Sequence, residues 1–138
     1  PPVANRMIQG RTLNGPDYYE TTLEWARLRQ AAIAGLGEID ALIVPPCPVT
    51  ARLIKTIDAS PESYAEWNGK YLRNTAIGNM LNFCGVSVPC GFDEAGMPIG
   101  GTFYARPFQE ETALRVAHAY EQATDWHTKR PDLSWDQP

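Results

Sequence analysis

The stretch Asn82-Phe83-Cys84-Gly85-Val86-Ser87-Val88-Pro89-Cys90-Gly91-Phe92, continuing through Asp93-Glu94-Ala95-Gly96 to Met97-Pro98-Ile99-Gly100-Gly101, constrains this chain more than any other. It spells a helix end, a short apolar run, a turn and a returning strand. Gly85 can take the left-handed conformation that stops a helix. Val86 to Cys90 is short and apolar enough for a strand buried on both faces. Asp93 to Gly96 has the composition of a tight turn, so Val86–Phe92 and Pro98–Ala105 are predicted to form a hairpin. The glycine pair Gly100 and Gly101 inside the second strand marks a bulge or a close backbone approach. A chain with this segment is committed to a sheet, and the rest must supply what covers it.

The flanking sequence alternates helix and strand. Pro16 at a first-turn position, followed by Asp17 and Glu20, opens a helix. Leu23, Ala26 and Ile33, with Trp25, Leu28, Ala32 and Leu36 beside them, give it a broad apolar face that predicts burial. Gly35 and Gly37 end it. Asp40-Ala41-Leu42-Ile43-Val44 reads as a buried strand, stopped by Pro45, Pro46 and Pro48. Ser60-Pro61-Glu62-Ser63 starts a helical region, and Ser63-Tyr64-Ala65-Glu66 has capping-box spacing. Gly69 breaks it, and a second helix runs from about Tyr71 to Phe83 with Leu72, Ala76, Ile77, Met80 and Leu81 inward. The last helix spans about Glu110 to Asp125 on a stripe of Ala113, Val116, Ala117, Tyr120 and Ala123. Glu110 and Glu111 suit its positive end, and Pro131 blocks extension into an irregular tail, Asp132–Pro138. The pattern is α/β in a single region, 1–138. Leu42-Ile43-Val44 wants neighbours on both sides, so the chain reads as part of a larger mixed β-sheet flanked by helices, or as one member of an oligomer.

Bulk properties narrow the function classes. The 138 residues are one domain's worth, and 43% hydrophobic with 20% charged residues is ordinary for a globular protein. A net charge of -4 with scattered basic residues argues against direct nucleic-acid binding. No apolar run reaches the length of a membrane span, and Pro1 to Asn5 lacks the apolar core of a secretory signal. Three cysteines, Cys47, Cys84 and Cys90, are odd in number and have no C-x-x-C spacing. That disfavours a disulfide framework and a zinc site, and fits a reducing, cytoplasmic setting.

Familiar catalytic signatures are missing: there is no G-x-S-x-G elbow, Walker loop or H-E-x-x-H. Lys55, Lys70 and Lys129 stand in no S-x-x-K relation to a serine. His118 lies mid-helix beside the apolar stripe, and His127 follows a helix end, where a structural role is the simpler one. Glu110 and Glu111 are adjacent and point to different azimuths, so they form no dyad. Capping accounts for Ser60 and Ser63, and local bonding for Ser87. A Cys90–His118 pair leaves a cysteine hydrolase as a remote third reading.

From Arg6 to Leu133 the order of features resembles the C-terminal portion of an amidase signature enzyme. Arg11 to Tyr18 is similar to the family's R-x-x-x-G … dY lead into a long helix, and Asp40 to Pro45 to its D-h-L-h-x-P-T strand. Asn82 to Gly91 resembles N-l-x-G-x-P-x-x-s-V-P-x-G, and Gly96 to Gly100 resembles G-l-P-h-G. Ala105 to Glu110 and the helix behind it resemble g-r-p-f-x-E … A-x-x-y-E. The chain departs from the family where Pro45-Pro46 replaces P-T and Gly85-Val86-Ser87 replaces G-x-P.

The resemblance implies a large mixed sheet wrapped by helices, and carboxamide hydrolysis or amide-nitrogen transfer without metal or cofactor. The family's Ser-Ser-Lys triad lies in segments not found here, so no catalytic residue is carried over and the isolated chain is expected to be inactive. What carries over is pocket lining: Thr75, Gly78, Asn79 and Asn82 as substrate-binding residues. Capping by the asparagines and close helix packing at Gly78 is the competing reading of the same positions. Implied partners are a small-molecule amide in the full-length enzyme and the missing N-terminal portion. The alternative is a non-catalytic binding or assembly module that forms homo-oligomers through its sheet edges.

Overall fold

The computed structural model describes residues 2–130. Helix α1 (Pro2–Gln9) and a 3-10 turn lead into α2 (Gly15–Leu36), followed by β1 (Ala41–Val44), the single turn α3 (Ile54–Ile57) and α4 (Pro61–Leu81). The hairpin β2 (Cys84–Phe92) and β3 (Pro98–Ala105) then precedes α5 (Glu110–Ala123) and a final 3-10 turn. The expected tail Asp132–Pro138 and its Pro131 stop lie outside the described residues.

The three strands form one antiparallel sheet in the order β1-β3-β2. The predicted hairpin is present, turned by Asp93, whose carboxylate accepts from the N–H of Ala95 at 2.9 Å and of Met97 at 2.8 Å. β3 is central because it pairs on both sides: Ala41 lies opposite Ala105, and Cys84 opposite the same residue from the other edge. The ladder between β2 and β3 slips between Pro89 and Gly91, so Cys90 is the extra residue of a bulge. Its Sγ occupies the space over Gly101, where an added Cβ would approach it to 2.5 Å. The glycine pair thus marks both a bulge and a close approach. Pro89, without an N–H for a ladder, sits on an edge strand, where it is tolerated.

Alternation along the strands gives the sheet two different faces. One face packs on α5: Val88, Phe103 and Ala117 are the buried centre, ringed by Val86, Cys90, Val116 and Tyr120. The rings of Phe103 and Tyr120 stand 5.6 Å apart. This is the predicted stripe of α5, which ends at Ala123 because Thr124 is extended. On the opposite face, the hydroxyls of Ser87 and Thr102 bond across the strands at 2.6 Å, so Ser87 bonds between strands rather than locally. Tyr104 lies on that face against the end of α4.

Four local expectations are corrected. Helix α4 runs unbroken through Gly69, because one glycine costs a helix only about 1 kcal/mol and its other signals agree. Ser60 is the cap, accepting from the Ser63 N–H at 3.1 Å, while the Ser63 hydroxyl leaves the capping-box role and donates to the Thr56 carbonyl at 2.8 Å. The left-handed residue that ends α4 is Asn82 (φ 58, ψ 31), not Gly85, which already belongs to β2. Asparagine takes this conformation more readily than other side-chain-bearing residues. Helix α2, capped by Asn14, passes through Gly35 and stops at Gly37 (φ 51).

Burial is the larger correction. β1 is an edge strand, and Leu42 and Ile43 are exposed, Ile43 by 58%. Leu23, Trp25 and Leu28 of α2 are exposed, as are Leu72, Ile77 and Met80 of α4. The two helices meet along one seam, where the Arg29 Nε donates to the Met80 carbonyl at 2.8 Å. The apolar faces exist as the periodicity predicts, but among the described residues nothing covers most of their width.

Candidate functional site

The end of α4, the start of β2 and the start of α5 enclose an open cleft of about 630 Å³ along the free edge of β2. Helix α4 delivers Gly78, Asn79 and Asn82 to one wall. The turn before α5 and its first residues deliver Pro107, Phe108, Glu110, Ala113 and Leu114 to the other. Phe83, Cys84, Gly85 and Val86 lie between them.

The α4 wall follows from how that helix terminates. The Asn82 N–H donates to the Asn79 carbonyl at 3.3 Å and the Phe83 N–H to the Gly78 carbonyl at 3.0 Å, which ties off the last turn. Asn79 and Asn82 are exposed, and among the described residues their side-chain amides carry no hydrogen bond. Each therefore offers a donor pair and an acceptor to whatever enters. Gly78 is buried because the Tyr104 ring lies against it. The same ring abuts Gly85, where an added Cβ would stand 2.7 Å from it. Burial pushes the Tyr104 phenol above its ordinary pKa. The ring sets the separation of α4 from β2, and with it the geometry of this end of the cleft.

The four positions named by the resemblance divide three to one. Gly78, Asn79 and Asn82 share the cleft, whereas Thr75 lies outside its lining, its hydroxyl donating to the Leu72 carbonyl at 3.2 Å. Asn82 serves as a cap through its backbone while its side chain stays available, so both readings of that residue hold together. Gly78 likewise permits close packing and borders the cleft. Phe108, Leu114 and Cys84 went unrecognised. The Pro107-Phe108 dipeptide stood in a matched pattern, but its position on the rim depends on tertiary structure.

The cleft holds no recognisable nucleophile–base pair. Cys84 is its one thiol, and no histidine, lysine or serine lines it. Cys90 is in the bulge under Tyr120, whereas His118 is exposed on α5, so the third reading receives no geometric support. Among the described residues there is no cluster of three or more side chains suited to a metal ion, and no helix is long and apolar enough to cross a membrane.

A sheet of this topology, with a cleft of walls but no reacting group, has a counterpart among known proteins. The chain belongs to the amidase family, whose family model matches residues 1–114. It is 35% identical over 140 residues to the amidase-family subunit of glutamyl-tRNA(Gln) amidotransferase from Desulfatibacillum aliphaticivorans, covering 96% of this chain and 28% of that protein. It is 43% identical to the corresponding glutamyl-tRNA(Gln) amidotransferase subunit of Geobacter metallireducens, over 95% of this chain and 27% of that one. The fold matches an allophanate hydrolase variant from Kluyveromyces lactis with a TM-score of 0.78 at 19% identity, over 95% of this chain and 22% of that one. The chain thus spans a little over a quarter of the length of the two amidotransferase subunits.

Proposed function

We propose that this chain is the C-terminal, substrate-side portion of an amidase signature enzyme that acts on a carboxamide by hydrolysis or amide-nitrogen transfer. It supplies core and pocket wall, while the nucleophile and its base belong to an N-terminal portion. The observation that carries the reading is the cleft: two unpaired side-chain amides, Asn79 and Asn82, face a space lacking a nucleophile–base pair. An amide of asparagine matches a carboxamide substrate, donating to its oxygen and accepting from its nitrogen. Thr75, Gly78, Asn79 and Asn82 are the substrate-side positions, with Thr75 acting from behind the wall. The reading sets the protein in the cytoplasm, with a small-molecule amide as its ligand and no direct contact with nucleic acid or membrane.

The test is reconstitution. Alone, the chain should release no ammonia from simple carboxamides. Joined to the N-terminal portion of an amidase-family relative, it should do so, and Asn79→Ala or Asn82→Ala should raise KM. A joined protein that binds amides but never cleaves them refutes the reading.

The exposed outer edge of β1, with Ile43 bare, favours a second reading as an assembly module that adds strands between copies. It requires a stable homo-oligomer, and a folded monomer at micromolar concentration counts against it.

A further inference from the structure

The two walls of the cleft differ in kind. The α4 wall is polar and small: Gly78, Asn79 and Asn82. The facing wall presents Pro107, Phe108, Ala113 and Leu114. Phe108 is unusual on two independent counts. Its backbone lies at φ 61, a region that bulky side chains seldom occupy, and its residue surface is 92% exposed. The bend around it closes with the Gln109 N–H on the Arg106 carbonyl at 3.1 Å, a bond that glycine at position 108 would permit with less strain. Among the described residues, neither packing nor hydrogen bonding calls for phenylalanine at this position. Leu114, one turn into α5, is also exposed, by 58%. Backbone strain concentrates where a side chain is held for a ligand.

We infer that Phe108, together with Leu114, is the specificity-determining wall of the cleft, and that the amide accepted there carries an apolar substituent. This rests on the amidase reading above and adds a substrate class to it. The carboxamide group faces Asn79 and Asn82, and an alkyl or aryl substituent lies along Phe108 and Leu114. Glu110 on the same wall disfavours a substituent bearing a carboxylate. The class is therefore the neutral amides of alkyl and aryl acids, in preference to amides of dicarboxylic or amino acids.

The test uses the reconstituted enzyme and compares kcat/KM for acetamide, hexanamide and benzamide in the parent, Phe108→Gly and Leu114→Ala. The parent should favour hexanamide and benzamide over acetamide. In Phe108→Gly the benzamide-to-acetamide ratio should fall by about 10-fold, with an unfolding midpoint no lower than the parent's. Leu114→Ala should lower the hexanamide-to-acetamide ratio in the same sense. An unchanged ratio in Phe108→Gly overturns the inference while leaving the amidase reading intact. So does a lowered unfolding midpoint with equal loss on every amide, which would place the ring in the fold. If the reconstituted parent cleaves no amide at all, the amidase reading itself has failed and the inference falls with it.

Discussion

Alanine at Gly78 tests whether Tyr104 is wedged between α4 and β2. Within a helix, exchanging glycine for alanine ordinarily stabilises by roughly 1 kcal/mol. At Gly78 the new methyl would meet the Tyr104 ring, standing 2.6 Å from its Cζ and 2.7 Å from its Oη. The ring cannot swing toward β2, because Gly85 already limits it there. Overpacking of this kind costs about 1–3 kcal/mol, so the propensity gain is cancelled or reversed and the net change lies between roughly 0 and 2 kcal/mol of destabilisation.

Gly69 in the same helix is the control, since nothing lies within 4 Å of a Cβ there. Gly69→Ala should stabilise by about 0.5–1 kcal/mol. Urea unfolding of both variants, and of each combined with Tyr104→Leu, gives the coupling. Removing the ring should turn Gly78→Ala into a stabilising change like Gly69→Ala, with an interaction term of about 1 kcal/mol or more. If Gly78→Ala stabilises the parent as much as Gly69→Ala does, or if its effect is independent of residue 104, the wedge does not exist.

Three further outcomes are expected. The Asp93 carboxylate is held below its ordinary pKa of 3.8, chiefly by the Thr50 hydroxyl and then by the Met97 N–H, with the Ala95 N–H and Arg52 adding to it. Its stabilisation of the hairpin turn is therefore complete above that pKa and is lost as pH falls through the lower folded value, a dependence that acid titration should find abolished in Asp93→Asn. Gly101→Ala should destabilise through its clash with Cys90, and Cys90→Ala should relieve part of the loss in thermal unfolding. Ser60→Ala removes the cap of α4 and should cost about 1 kcal/mol by urea unfolding; no change would mean that another group satisfies the Ser63 N–H.

The hairpin and α5 were legible because their signals are local. Turn chemistry at Asp93–Gly96 and a single stripe on α5 needed only each other. The division of α4 at Gly69 overweighted one glycine, whose cost is small beside a cap and a long run of helix formers. The cap itself was misplaced because Asn82 and Gly85 both tolerate left-handed backbone, and only the paired geometry separates them. Burial was misread for α2, α4 and β1 because periodicity reports which face seeks cover, not whether the same polypeptide supplies it. At the candidate site, Gly78, Asn79 and Asn82 came from the resemblance, while Phe108 was invisible. Its distinguishing marks, a positive φ and a bare ring, are properties of the folded backbone.

The placement of β3 between two partners so unequal in sequence distance orders the assembly of the molecule. β2 reaches it through a short turn, whereas Ala41 must find Ala105 across both α3 and α4. Loop closure over that distance has a larger entropic cost, so the hairpin with α5 forms the early nucleus and β1 docks late. Pulse-labelled amide exchange during refolding should accordingly protect Val88 and Phe103 before Ile43.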